Sequence, residues 1–462
     1  MTGNIQTGTA PGLGSSGQGA SSREARAPLA AWYALSVLIA TTLFAFVDRQ
    51  VINLIAPSLQ SMLGLSDLQL GALQGLGLAL FASAAGYPIG WLADRFGRRI
   101  VLGCCIVLWS ASTGAAAFQS TFAGLFVATA GIAVGEAALS PIIFSMLPDL
   151  FPERQRNAAN FAFFAAALLG AAAGFGLGGA MLAWLGRHQH ALPGMLAGMD
   201  TWRVALIVAA APAPIFVLLL RTIRLGTGAS RPARIDEPAA EVERLLPFMR
   251  AHWPVFACVY GAIAAYSLPM NSAFSWLPIA VPRIFGTPSS EVGLQMGIAA
   301  AVATIIGLLL PAVGTRLMRG DALLKPFALA RLFMVVAALP TLLLAFATTP
   351  AQIYVAAGTQ LTFGLGAGAL MPGLLQQISP PRLRSRLISI LGIVTAIVQG
   401  LSPVLVGAVS GQFPGRRGII TALVIVGLPC WVGGVLLMSR ARRHFAATAA
   451  AAAAHANANA QG

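Results

Sequence analysis

The sequence predicts an all-α membrane protein with twelve transmembrane helices in two six-helix bundles. Three observations lead there. Of the 462 residues, 57% are hydrophobic and only 9% charged, against roughly a quarter charged in a soluble domain, so lipid is the solvent for most of the chain. The apolar stretches run for about 20 residues or more without the alternation of a membrane strand, and in hydrocarbon such stretches satisfy their backbone as helices. They also fall into two sets of six.

The first set lies near 29–60, 68–93, 100–120, 122–148, 157–184 and 201–222; the second near 252–280, 289–317, 323–347, 350–378, 385–411 and 418–439. Between them runs a polar, Pro-containing segment, so 29–222 reads as one bundle, 223–251 as a cytoplasmic linker and 252–439 as the second bundle. Within the linker, Pro238 to Arg250 reads either as an interfacial helix with Val242, Leu245, Leu246 and Met249 toward lipid or as a plain tether. Residues 1–28 are Gly/Ser/Thr-rich and lack the features of a signal peptide. They read as a disordered cytoplasmic tail, as do residues 440–462, which end in an Ala/Asn-rich run. PIIFSMLPDLFPERQRN after the fourth stretch echoes PGLLQQISPPRLRSR after the tenth, a sign of duplicated halves.

The net charge of +15 is topological and calls for no nucleic-acid partner. With the amino terminus in the cytoplasm, 22 of the 29 basic residues fall on that side and only Arg187, Arg203, Arg283, Arg416 and Arg417 fall outside, as the positive-inside rule requires. Arg49 and Arg331 lie within helices, and Arg331 is close enough to an end to snorkel. Abundant Ala, Gly and Arg with a single Lys suggest a GC-rich bacterium and hence an inner membrane. Cys104, Cys105, Cys258 and Cys430 sit in membrane helices with no metal spacing, and His188 and His190 read as a solvated loop. With no nucleophile beside a base, the chain reads as neither an enzyme nor a holder of a metal or cofactor.

GWLADRFGRR, Gly90 to Arg99, fills the short turn between the second and third helices. Gly90 and Gly97 permit a close helix approach and a tight turn. Asp94, set among Arg95, Arg98 and Arg99, is able to pair with Arg98 or with the positive end of a helix in the other half. This is either a cytoplasmic latch that forms in one conformer and releases in another, or a solvated basic loop. The ten residues match the signature of the major facilitator superfamily at every defined position, which implies two six-helix bundles that rock around a central site.

FAFVDRQVIN places Asp48 and Arg49 roughly midway along the first helix, where a charge costs at least about 2.5 to 3.5 kcal/mol. Adjacent residues point about 100° apart, so each needs a partner from elsewhere. Glu136, in GIAVGEAALSP, is central in the fourth helix. Two carboxylates and one guanidinium at similar depth set proton occupancy by opposing forces: desolvation and carboxylate repulsion favour the protonated form, Arg49 the ionised one. The triad reads as a proton-exchange site, with a purely structural ion-pair network as the alternative.

The Asp-Arg of the first helix, Gly135-Glu136-Ala137 of the fourth and the following Asp149 to Pro152 resemble the spinster family within that superfamily, mainly over the first half of the chain. The resemblance implies export of lysolipids or sphingoid phosphates, some of it proton-coupled. Asp48 and Glu136 would then be the protonation sites, with Arg49 tuning them or meeting an anionic headgroup. Ala45 and Phe46 stand where relatives often carry Asn-Tyr.

GAAAGFGLGGA in the fifth helix has a dinucleotide-like glycine spacing but lies in membrane; Gly170, Gly174 and Gly178 instead permit close packing. On the seventh helix Tyr260, Tyr266, Ser267, Asn271 and Trp276, and on later helices Gln295, Gln360, Thr362 and Gln399, are candidates to line a cavity. Tyr260, Tyr266, Asn271 and Gln399 are singled out as substrate contacts. The expected function is a monomeric, proton-coupled transporter of an amphipathic, lipid-like solute, because ionisable groups are concentrated in the first half and nearly absent from the second half's cavity face. A proton-coupled organic-anion symporter and a non-transporting sensor are the alternatives.

Overall fold

The computed structural model describes residues 29–192, 194–223, 239–319, 324–380 and 383–458. The expected amino-terminal tail and linker residues 224–238 lie outside them. Among the described residues twelve helices are long and apolar enough to cross a membrane: Leu29–Leu63, Asp67–Phe96, Arg98–Ala116, Phe122–Leu150, Arg154–Ala191, Thr201–Thr222, Trp253–Phe285, Ser289–Leu317, Lys325–Phe346, Pro350–Gln377, Arg386–Ser410 and Gly418–Phe445. They coincide with the twelve expected stretches, and no strand occurs among the described residues. They are called the first to twelfth spans below.

Short polar residues start several spans. Ser66 accepts from the backbone of Gln69, and Gln69 answers to the backbone of Ser66; Thr349 and Gln352 repeat the arrangement at the tenth span. Each such cap satisfies helix N–H groups that have no partner within the helix. Two spans are interrupted. The second passes through a π-helical segment, Ala72–Leu76. The fourth breaks at Ala138, between the helices Phe122–Ala137 and Leu139–Leu150, because Pro141 has no N–H to return to the carbonyl of Ala137.

Each half has its own apolar core, one around Trp109, Phe163 and Ile143, the other around Trp431, Phe333 and Met334. A third cluster joins the halves: Leu54 and Phe175 pack with Trp276, Leu277 and Val292. It lies at the end far from the Arg-rich loops. There the second span meets the eleventh so closely that a methyl on Gly71 or Gly75 would collide with the carbonyl of Pro403 or Gly400. Toward the basic loops the same spans part, and a Cβ added at Gly86, Gly90 or Gly392 meets nothing within 4 Å. The molecule is thus closed at the far end and open at the basic end. Within the first half Gly170 and Gly174 receive Phe46, and Gly178 receives Leu54 and Val51, the close packing expected of those glycines.

Two sequence expectations change. Residues 440–458 are not a loose tail, because the last helix runs from Gly418 to Ala458. Phe445 packs edge-on against Phe327 with ring centroids 4.6 Å apart, and alanine, which makes up most of the run that follows, has the highest helix propensity of any residue. In the linker, Ala239–Ala251 is helical, with Phe248 buried and Leu245 and Met249 packed against the second bundle. Leu246 alone of the described members of the predicted lipid face is exposed.

Candidate functional site

Between the halves lies a cavity of about 340 Å³, within the range of small-molecule sites. Arg49, Gln50, Asn53, Gln74 and Thr129 line it from the first half. The second half contributes Met270, Phe274, Ala300, Leu361 and Leu365, with Asn271, Ser275, Thr304 and Gln399 as its polar groups. Both walls mix apolar and polar side chains, the first half adding Phe46, Ile52, Leu73 and Ile132, and the lining's one charge, Arg49, lies on the first half.

The structure separates the predicted triad into a pair and a single acid. Arg49 donates to Glu136 Oε2 from Nη2 at 2.6 Å and from Nε at 3.1 Å. The Glu136 side chain is only 6% exposed, whereas that of Arg49 is 38% exposed and lines the cavity. Glu136 lies in the last turn before the break in the fourth span. Gly135 beside it allows that turn to lie against the third span, where a Cβ would come within 2.7 Å of Trp109 Cβ. Asp48, one residue from Arg49, points about 100° away and is fully buried. Its Oδ2 accepts from Thr113 Oγ1 at 2.6 Å, while Oδ1 has no partner. Thr113 Oγ1 also lies 3.0 Å from the carbonyl of Trp109, and the shorter contact to a carboxylate holds the proton better.

Thr113 escaped the sequence reading, since a Thr in an apolar helix ordinarily bonds its own preceding turn. Thr113→Val leaves both Asp48 oxygens without a donor and is expected to lower stability by about 1–3 kcal/mol. Thr113→Ser is expected to stay near wild type. Thermal unfolding of the two variants in detergent checks both.

Of the four predicted substrate contacts, Asn271 and Gln399 line the cavity. Tyr260 and Tyr266 do not. The Tyr260 hydroxyl donates to the carbonyl of Leu387 at 2.8 Å, and Tyr266 packs within the second bundle against Gly368, because the seventh span turns that face toward its own bundle. Of the other candidates, Gln360 is buried beside the cavity in a small adjoining pocket.

At the basic loop, Gly97 adopts φ +93°, the backbone that a residue with a Cβ avoids. This break removes the helical spacing that would bring Asp94 to Arg98. Arg98 instead pairs with Asp149 of the fourth span at 2.5 Å and donates to the carbonyl of Ser145 at 2.7 Å. Arg95 stacks on Trp91 and Phe96. Asp94 is exposed and has no ion pair among the described residues, and Gly90 faces open space. The predicted latch is therefore not engaged in this conformer, whose halves have separated at that end.

The far end carries an ion pair that sequence reasoning missed. Arg283, at the end of the seventh span, grips Asp67 at the start of the second with two bonds, Nη1 to Oδ2 at 3.0 Å and Nη2 to Oδ1 at 2.7 Å. Gln60 of the first span donates to Asp67 Oδ1 at 2.6 Å and accepts from Arg283 at 2.5 Å. Ser410 of the eleventh span donates to Asp67 Oδ2 at 2.7 Å. Four spans, two from each half, are tied at one point. An acid in the first turn after Ser66 is also what a helix N-terminus favours, so nothing in the sequence distinguished this one.

Twelve spans in two packed sets, around a charged cavity closed at one end, define a secondary transporter. Residues 38–403 match the Major Facilitator Superfamily, and the chain belongs to it. It is similar to an MFS-type efflux pump of Mycolicibacterium smegmatis, 26% identical over 421 residues that cover 87% of this chain and 92% of that one. It is also similar to the sphingosine-1-phosphate transporter SPNS2 of Mus musculus, 25% identical over 241 residues, 52% of this chain and 41% of that one. The chain thus spans less than two thirds of that relative's length. Among solved structures, a bacterial homolog of the human lysosomal transporter spinster, inward-facing and unoccupied, shares the fold with a TM-score of 0.71 at 21% identity, covering 91% of this chain and 97% of that one.

Proposed function

We propose that this transporter couples protons to the movement of an amphipathic, lipid-like solute of the lysophospholipid or sphingoid-phosphate type. The amphipathic lining carries this reading, with a single guanidinium and several amides set among apolar side chains. A polar or anionic head fits beside Arg49, Asn53 and Gln74, and an apolar tail fits along Phe274, Leu361 and Leu365. The likeness to a sphingosine-1-phosphate transporter supports the same substrate class. With the basic loops on the cytoplasmic side of a bacterial inner membrane, this conformer opens inward.

Coupling follows from the Arg49–Glu136 pair. When Glu136 takes up a proton its attraction for Arg49 falls, and the guanidinium is free to meet an anionic head; when the proton leaves, Glu136 recaptures Arg49 and displaces it. Asp48, sealed behind the cavity wall, is a second proton site that the solute does not touch. Asp94 and Gly90 engage the other half in the outward-open state.

Proteoliposomes containing the purified chain, an imposed proton gradient and a labelled lysophospholipid test the reading. Gradient-driven uptake, with thermal protection by the lysolipid and none by gluconate, is expected. Protection by gluconate alone would assign the protein to organic-anion symport, and absence of any proton-dependent flux would refute coupling.

A further inference from the structure

A second cavity, about 760 Å³, lies away from the central one, between the third and sixth spans. The two share no lining residue. Ile100, Gly103, Val107, Leu108 and Ala111 form one side and Val217 and Leu220 the other, with Arg99 and Arg221 at one end. From Arg99 to Ala111 the third span rises about 18 Å, room for a long acyl chain. Gly103 keeps the furrow deep, since a Cβ there meets nothing within 4 Å. Ile100, Val107 and Leu108 are exposed, so the furrow opens outward to the bilayer.

The arginine end has unspent charge. Arg99 Nη1 donates to the carbonyls of Ile223 at 2.8 Å and Arg221 at 3.4 Å, which fixes that side chain at the mouth and leaves its other N–H groups free to donate. The Arg221 side chain is exposed. Among the described residues neither guanidinium has a carboxylate partner. Two cations at the headgroup end of an apolar furrow, one of them held in place, match a ligand with an anionic phosphodiester and a hydrocarbon chain.

We propose that this groove binds an anionic diacyl phospholipid of the surrounding leaflet, its phosphate between Arg99 and Arg221 and one chain laid over Gly103 toward Ala111. A zwitterionic lipid offers the same phosphate but brings its own cation beside the two arginines and is disfavoured. The bound lipid bridges the third span to the end of the sixth, immediately beside the turn that carries Asp94 and Arg98.

Native mass spectrometry of the full chain, released from micelles doped with phosphatidylglycerol or phosphatidylcholine of identical chains, tests the site. Preferential retention of phosphatidylglycerol is expected, falling about fivefold in Arg221→Gln and about thirtyfold when Arg99→Gln is added. Because Arg99 also braces the sixth span, Arg221→Gln and Gly103→Phe are the decisive variants: the first removes only an exposed charge, the second fills the furrow. Arg316→Gln, an exposed arginine of the other half, is expected to leave the preference unchanged. Equal retention of both lipids by the wild type, or unchanged preference in both decisive variants, overturns the proposal. So does a dimer that Gly103→Phe dissociates while phosphatidylglycerol is retained as before, since the groove would then hold a second copy.

Discussion

Glu136→Gln is expected to reduce proton-driven lysolipid accumulation about tenfold per unit of imposed pH gradient while leaving exchange of substrate down its own gradient. The carboxamide keeps the shape and the acceptor that faces Arg49 but carries no exchangeable charge. A pH gradient of one unit acting through one proton supports accumulation of about tenfold, so each coupled site lost lowers accumulation about tenfold. Asp48→Asn separates the two acids. If both couple, the wild type accumulates about a hundredfold and each single variant about tenfold. If only Glu136 couples, Asp48→Asn leaves accumulation intact and alters stability alone. Accumulation ratios in proteoliposomes, measured at several imposed gradients, distinguish these outcomes. Unchanged accumulation in both variants would remove the two acids from the coupling mechanism.

Asp67→Asn is expected to open the far end. The pair with Arg283 is charge-assisted and doubly bonded, and Gln60 and Ser410 complete its shell. Hydrogen bonds to charged groups contribute about 1.5–3 kcal/mol. Losing about 2 kcal/mol from the conformer closed at that end shifts the ratio of the two open forms by about thirtyfold. Arg283→Gln should act in the same direction, and Ser410→Ala more weakly because it removes one donor and no charge. Distance distributions between spin labels placed across each end of the second and eleventh spans report the shift: the far end widens as the basic end narrows. Closed-end distances that stay as in the wild type would make the pair a passive contact.

Much of this was legible in the chain itself. A charge at mid-membrane depth is costly enough that Asp48, Arg49 and Glu136 stand out by arithmetic alone, and the glycines of the fifth span announce close packing because nothing else accounts for them in hydrocarbon. What escaped notice had an ordinary alternative. Thr113 resembles any membrane threonine bonded to its own helix. Asp67 resembles any acid in a first turn. Tyr260 and Tyr266 resemble cavity aromatics, since periodicity reports which residues share a face but not which neighbour that face meets.

Local and one-dimensional physics belonged to the sequence alone. Hydropathy set the number of spans, the distribution of arginines predicted their direction, and the cost of buried charge marked the acids that need partners. Only the tertiary structure decided which partner each acid took. It sent Glu136 to Arg49 at the cavity wall, Asp48 to Thr113 behind it, Arg98 to Asp149 and Arg283 to Asp67. Those choices depend on how helices distant in sequence rotate and cross, and contact energies across such gaps leave no periodic trace in either strand of residues.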